Sequence, residues 1–158
     1  MTDSVKPPAL DPATVTPRKG SSYPALFAPP CVEREKRALG DPLGLAQFGV
    51  NLTTLPPGAW SAQRHWHQQE DEFVYVLEGE LILITDAGEQ VLGAGMAAGF
   101  PAGKKDGHHL VNRSDRQASF LEIGTRAPLD HGFYPDIDLM VEIAERRFIF
   151  SHRDGTPY

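Results

Sequence analysis

From Leu45 onward, apolar and polar positions alternate in short stretches broken by turn residues, a period of two that predicts strands and almost no helix. Leu45 to Leu55 (LAQFGVNLTTL) is rich in β-compatible residues and predicts a first strand. Pro56-Pro57-Gly58 stops it and re-aims the chain into a strand through His65. Glu72 to Leu77 comes next, with Glu72, Val74 and Val76 on one face and Phe73, Tyr75 and Leu77 on the other. Leu81 to Thr85 follows across Glu78-Gly79-Glu80, which reads as a tight hairpin because the glycine tolerates positive φ. Asp86 to Glu89 is a second turn, and Gln90 to Leu92 begins a return strand. After the small-residue run Gly93 to Gly99 and the turn Phe100 to Gly103, His108 to Asn112 and Ala118 to Ile123 predict two further strands. Asp138 to Arg146 (DLMVEIAER) suits one short helix or an irregular strand, and the pattern leaves both open. The start of Phe148 to Tyr158 alternates and predicts a strand at a sheet edge, with His152 and Tyr158 in structural roles.

The first 30 residues change this picture, because they hold seven of the 14 prolines and little periodicity. The expected organisation is therefore an extended arm over residues 1–36, a barrel over 37–126 and a tail over 127–158 packing on it. A chain of 158 residues fits one domain with room for a core. Its formal charge of −6 is spread along the sequence, which argues against nucleic-acid or membrane-surface partners and for a small-molecule ligand. The N-terminus lacks an apolar signal-type region, and the single cysteine, Cys31, excludes an internal disulfide. A cytoplasmic protein is expected, with Cys31 as a small half-buried hydrophobe.

The chemistry gathers in GAWSAQRHWHQQEDEFVYVLEG, Gly58 to Gly79. On a strand His65 and His67 share a face and Trp66 takes the other, so two imidazoles converge. The odd offset to Glu72 requires a bend over Gln68 to Asp71. Glu70 lies within that bend and fits less well than Glu72. His109, next to His108, points to the opposite strand face and belongs to a wall or surface. Gln63 shares the parity of the two histidines and could hydrogen-bond a ligand. Lys104 and Lys105, with Arg113, form a basic cluster able to hold a phosphate or carboxylate at the rim, although a solvated loop explains them as well.

The spacings resemble the two motifs of the cupins, small double-stranded β-helix barrels. Gly58, His65, His67, Glu72 and Gly79 meet the first motif with one extra residue after Gly58. Gly95, Pro101, Gly103, His108 and Asn112 meet the second, with Lys104-Lys105-Asp106-Gly107 two residues longer than the usual spacer. Over residues 45 to 125 the chain is similar to bacterial single-domain cupins, some labelled sugar-phosphate isomerases. The resemblance implies an all-β jelly-roll barrel, often a homodimer, with a metal held by His65, His67, Glu72 and His108. Three imidazoles and a carboxylate suit one divalent transition metal (zinc, iron, manganese, nickel or copper) and not calcium. Two function classes follow: a metal-dependent isomerase, lyase or dioxygenase acting on a small oxygen-rich metabolite, or a non-catalytic module that binds or senses a sugar-like ligand.

Overall fold

A computed structural model of the chain describes residues 5–158, and apart from three single 3-10 turns its regular structure is all strand. In chain order these are β1 (Arg18–Lys19), β2 (Glu35–Ala38), β3 (Phe48–Leu55), β4 (Trp66–His67), β5 (Glu72–Glu78), β6 (Glu80–Thr85) and β7 (Gly88–Gly93). They continue with β8 (Ala97–Phe100), β9 (His109–Val111), β10 (Ala118–Thr125), β11 (Leu129–Tyr134), β12 (Leu139–Ala144) and β13 (Arg147–Ser151). A six-stranded sheet in the order β1-β2-β3-β10-β5-β8 faces a four-stranded sheet, β13-β12-β11-β4, and a three-stranded one, β7-β6-β9. All recorded pairings are antiparallel, the arrangement of a jelly roll. Among the described residues no helix is long and apolar enough to cross a membrane.

The parity expected of Glu72 to Leu77 holds: Val74 and Val76 are buried, while Phe73, Tyr75 and Leu77 stay about two-fifths exposed on the outer face. Val74 and Val76 join Leu55, Leu81, Leu110 and Phe120 in one apolar core. Each such side chain contributes roughly 1.5–3 kcal/mol on burial. Tyr134, Leu139, Val141, Ile143 and Phe27 make a second core against the four-stranded sheet.

Three findings differ from the sequence pattern. Glu78-Gly79-Glu80 is not a hairpin: β5 pairs with β10 and β8, and β6 pairs with β7 and β9, so the chain passes from one sheet to another. Gly79 is required at this crossing, since its φ is 78° and a Cβ would lie 2.8 Å from the Gln117 carbonyl oxygen. The segment left open between helix and strand is strand β12, whose Leu139, Val141 and Ile143 alternate into the second core. Besides the edge strand expected from Phe148, strands also lie in the segments expected to be arm and tail. β1 and β2 extend the large sheet, Phe27, Cys31 and Arg34 are buried, and β11 pairs with β4 through Gly132 with His67 and Phe133 with Trp66.

Candidate metal centre

Three short elements carry the site. β4 is held between an isolated bridge, in which His65 and His108 exchange backbone hydrogen bonds, and the edge of β11. Trp66 turns away from the cavity and stacks on Phe133 at 4.4 Å between ring centroids, which fixes the opposite parity of His65 and His67. The chain then bends, with the Gln68 N–H donating to the His131 carbonyl, and re-enters the sheet at Glu72. Glu72 Oε2 becomes the focus of three imidazoles. His108 Nε2 lies 2.8 Å from it, His65 Nε2 3.6 Å and His67 Nε2 3.7 Å. Ligand atoms of His65, His67 and Glu72 all lie within 4.8 Å of one another, and His108 closes the set from its bridge to His65.

The outer nitrogens explain why these rings face inward. His65 Nδ1 donates to the Gln63 carbonyl at 2.8 Å and His67 Nδ1 to Asp130 Oδ2 at 2.5 Å, so in both rings Nε2 is turned toward Glu72. Asp130, fully buried on β11, also accepts from the Gln69 N–H at 2.6 Å. The His108 ring lies flat on Phe100, with centroids 3.6 Å apart and planes 1° apart, and its buried Nδ1 has no hydrogen-bond partner. Stacking on Phe100 thus takes the place of an outer acceptor for this third imidazole, whose Nε2 is hydrogen-bonded to Glu72 at 2.8 Å.

Electrostatics follow from crowding. Burial disfavours the charge on Glu72, but His67, His108 and His65 outweigh it and hold the carboxyl well below its usual range. Burial also works against a charged His67, yet the Glu72 and Asp130 carboxylates raise its pKa to about 9. For His65 burial prevails and lowers the pKa. A pocket of three nitrogens and one anionic oxygen, two of the nitrogens set by outer acceptors, has the donor chemistry of a divalent transition metal.

The cupin domain model matches residues 51–124. Over almost its full length the chain is similar to a sugar phosphate isomerase from a cupin superfamily of Silicibacter pomeroyi DSS-3, known from its crystal structure. The two are 46% identical over 96% of each chain, with a TM-score of 0.92. The chain is a cupin. A protein of Acidithiobacillus ferrooxidans ATCC 23270, provisionally called a sugar phosphate isomerase, is 27% identical over 80% of each chain, with a TM-score of 0.72. A predicted oxalate decarboxylase of Thermotoga maritima shares the fold at 20% identity, over 75% of this chain and 99% of that one, with a TM-score of 0.60. No curated protein matches the chain.

In this cupin the candidate residues have separate fates. The cluster around Glu72 opens into a cavity of about 540 Å³ between the large sheet and the four-stranded one, lined among others by His65, His67, Glu72, Phe120 and Tyr134. Gln63 does not line it: the amide Nε2 donates to the Phe27 carbonyl at 2.8 Å. Its parity with His65 is lost because residues 61–64 form bends and not a strand. Lys104 borders a small recess behind His67, Glu72 and His108, exposed and 3.6 Å from Asp106, whereas Lys105 borders neither cavity. Arg113 pairs with Glu89 at the surface. His109 is a buried wall residue, with Nδ1 donating to the Ala62 carbonyl and its ring edge-on to Trp60. Glu70 lies beside the site rather than in it, within 4.8 Å of His67 and Asp130. Sequence reasoning missed Asp130; its alternation with Gly132 and Tyr134 was visible, but the pairing of β11 with β4 was not.

Proposed function

We propose that this cupin is a metal-dependent isomerase of a small phosphorylated sugar, with His65, His67, Glu72 and His108 holding one divalent ion, zinc, iron, manganese or nickel. The observation that carries the reading is the convergence of three imidazoles on one Glu72 oxygen at the end of a cavity large enough for a small metabolite. The 46% identical sugar phosphate isomerase from Silicibacter pomeroyi supports the substrate class. A bound ion would supply Lewis-acid polarisation of a substrate carbonyl. The protein does the rest. Asp130 and the Gln63 carbonyl keep two imidazoles aimed, and Phe100 fixes the third. Phe120 and Tyr134 keep the adjoining wall largely apolar. Glu70, which faces the cavity beside His67, is assigned the transfer of a proton from the carbon beside the substrate carbonyl to the carbonyl carbon, while the hydroxyl proton of the first carbon passes to the former carbonyl oxygen, a net rearrangement with no change of formula.

The test is to load the protein with each metal and follow phosphorylated aldoses and ketoses by NMR in deuterated water. Interconversion is expected, abolished in His65→Ala and slowed at least about a hundredfold in Glu70→Gln. Binding without interconversion under every metal would instead establish a non-catalytic module. We place its action in the cytoplasm, which suits a sole, fully buried thiol at Cys31.

We also propose a homodimer, formed through the outer face of the large sheet. Phe73, Tyr75 and Leu77 of β5 project there at 42%, 39% and 44% exposure, a contiguous apolar strip on a strand flanked by β10 and β8. Light scattering should give twice the chain mass, and Phe73→Glu should give the monomer; a monomeric wild type would reject the proposal.

A further inference from the structure

The inner face of the large sheet can be followed row by row from the metal centre. Glu72 lies opposite Gly124, which lies opposite Gly49. In the next row Val74, Glu122 and Asn51 are aligned, and in the third Phe120, Thr53, Lys36 and Arg18. Glu122 is thus a diagonal neighbour of Glu72, with Cα atoms about 7–8 Å apart. Gly124 and Gly49 carry no side chain in that row, and the Arg126 guanidinium, paired with Asp41 at 2.5 Å, lies over Gly49. From β10 the Glu122 carboxylate reaches toward the third row, where it accepts from Lys36 Nζ at 3.0 Å and from the Thr53 hydroxyl.

This end of the cavity carries more positive charge than its own carboxylate can neutralise. Lys36 is paired with Glu122. Arg18, beside Lys36 on β1, lines the cavity and has no acidic partner among the described residues. Arg34, two residues before Lys36, is 5% exposed and binds only the Gly20 and Ser61 backbone carbonyls; its Nε is buried without a partner. Burial lowers the Lys36 pKa; Arg34 and Arg18 push it the same way and Glu122 opposes them, as expected of cations gathered in one recess. Three cations against one carboxylate, inside a cavity, make a site for an anion that brings both charge and acceptor oxygens.

We propose that Arg18 and Lys36, backed by Arg34, form an anion subsite that holds the phosphate of a phosphorylated sugar, with the carbonyl end of the same molecule at the His65, His67, Glu72 and His108 centre. Glu122 and Thr53 hold the Lys36 ammonium at the cavity wall. The identity of the substrate rests on the isomerase reading above; the subsite itself does not.

The experiment is calorimetric titration of inorganic phosphate into the metal-loaded full-length protein and its variants. Arg18→Gln is the principal variant, because Arg18 is exposed and makes no ion pair that folding would miss. Lys36→Gln is the second, and Lys104→Gln on the other side of the metal centre is the control. Saturable binding is expected in the wild type, weakened about tenfold or more in Arg18→Gln and Lys36→Gln and changed less than about twofold in Lys104→Gln, with zinc content equal in all four. Phosphate affinity in Arg18→Gln within about twofold of wild type, or affinity lost only in Lys104→Gln, would overturn the subsite. Kinetics separate the two readings. Isomerisation of a phosphorylated aldose with an unchanged KM in Arg18→Gln and Lys36→Gln would reject the subsite and keep the isomerase. Phosphate binding that depends on Arg18, in a protein that turns over no phosphorylated sugar, would keep the subsite and reject the isomerase.

Discussion

The two ends of the cavity each centre on a carboxylate from the same sheet face, and they treat it in opposite ways. Glu72 is surrounded by three imidazoles whose nitrogens all point at one of its oxygens, an arrangement that leaves lone pairs and a negative charge for a cation to share. Glu122 is answered by an ammonium and a hydroxyl, so its charge is spent inside the protein and the surplus left over is positive. Alternation of a strand places both residues inward; the strands that pair alongside decide which is a ligand and which an anchor. Neutralising the two carboxylates therefore breaks the comparison most directly. Glu72→Gln should reduce metal affinity at least about a hundredfold while the fold persists, since the anionic donor is gone. Glu122→Gln should leave metal content unchanged and lower stability by about 1–3 kcal/mol, because Lys36 loses its partner in a half-buried site. Elemental analysis with thermal melts on both variants checks this; metal loss in Glu122→Gln would mean that the two ends are one site.

The same contrast marks what was legible in the amino-acid sequence. His65, His67 and Glu72 lie within eight residues, so strand parity and one bend suffice to bring them together. His108 was reached through the spacing of a known motif. Asp130 and His67 are 63 positions apart, and Lys36 and Glu122 are 86 apart. Such pairs depend on sheet order, which alternation along one strand does not encode. Gly79 failed for a related reason: a glycine between two apolar strands looks the same whether the chain folds back beside itself or crosses to another sheet. The period of two in Leu139, Val141 and Ile143 was present and would have decided for a strand, but the charged residues among them fit a short helix equally well.

The next largest effect should come from behind the metal end. Asp130→Asn keeps the shape but removes the charge that holds His67 Nδ1–H, and the amide cannot accept on both oxygens positions as the carboxylate does from His67 and Gln69. Metal affinity should fall about 10–100-fold, with the zinc:protein ratio restored at high zinc. Unchanged affinity would show that β11 supports the fold alone and has no part in aiming the ligand.

A pH titration sharpens the comparison further. In metal-free protein the His67 pKa is raised from 6.5 to about 9, so its protonation contributes stability that is fully present below pH 6.5 and is lost as pH rises toward 9. Glu72 is shifted down, so its contribution is present above 4.5 and fades only well below that value. Chelated protein should keep its β circular-dichroism signal, and its melting temperature should fall as pH rises from about 6.5 to 9, above the range in which the lowered His65 pKa acts. The loss up to pH 9 is on the order of 3 kcal/mol at most. A metal ion competes with that proton, so the stabilisation given by a fixed zinc concentration should grow across the same window. A melting temperature of the chelated protein that stays flat from pH 6.5 to 9 would contradict the assigned coupling of His67 to its two carboxylates.

The smallest effect concerns Gln63, where one residue serves the metal end through its backbone and the arm through its side chain. The carbonyl fixes His65 Nδ1, and any residue at this position supplies a carbonyl. The amide donates to the Phe27 carbonyl and so ties residues 23–31 to the barrel; Phe27 in turn packs in the second core with Tyr134. Gln63→Ala should therefore lower stability by about 1 kcal/mol, the net worth of one buried hydrogen bond plus the carbonyl it leaves unpaired. Metal affinity should not change, because the ring orientation of His65 depends on backbone geometry alone. A Gln63→Ala protein that melts like wild type but binds metal or phosphate more weakly would return this amide to the cavity as a ligand group, and the division between backbone and side-chain roles at this position would fall.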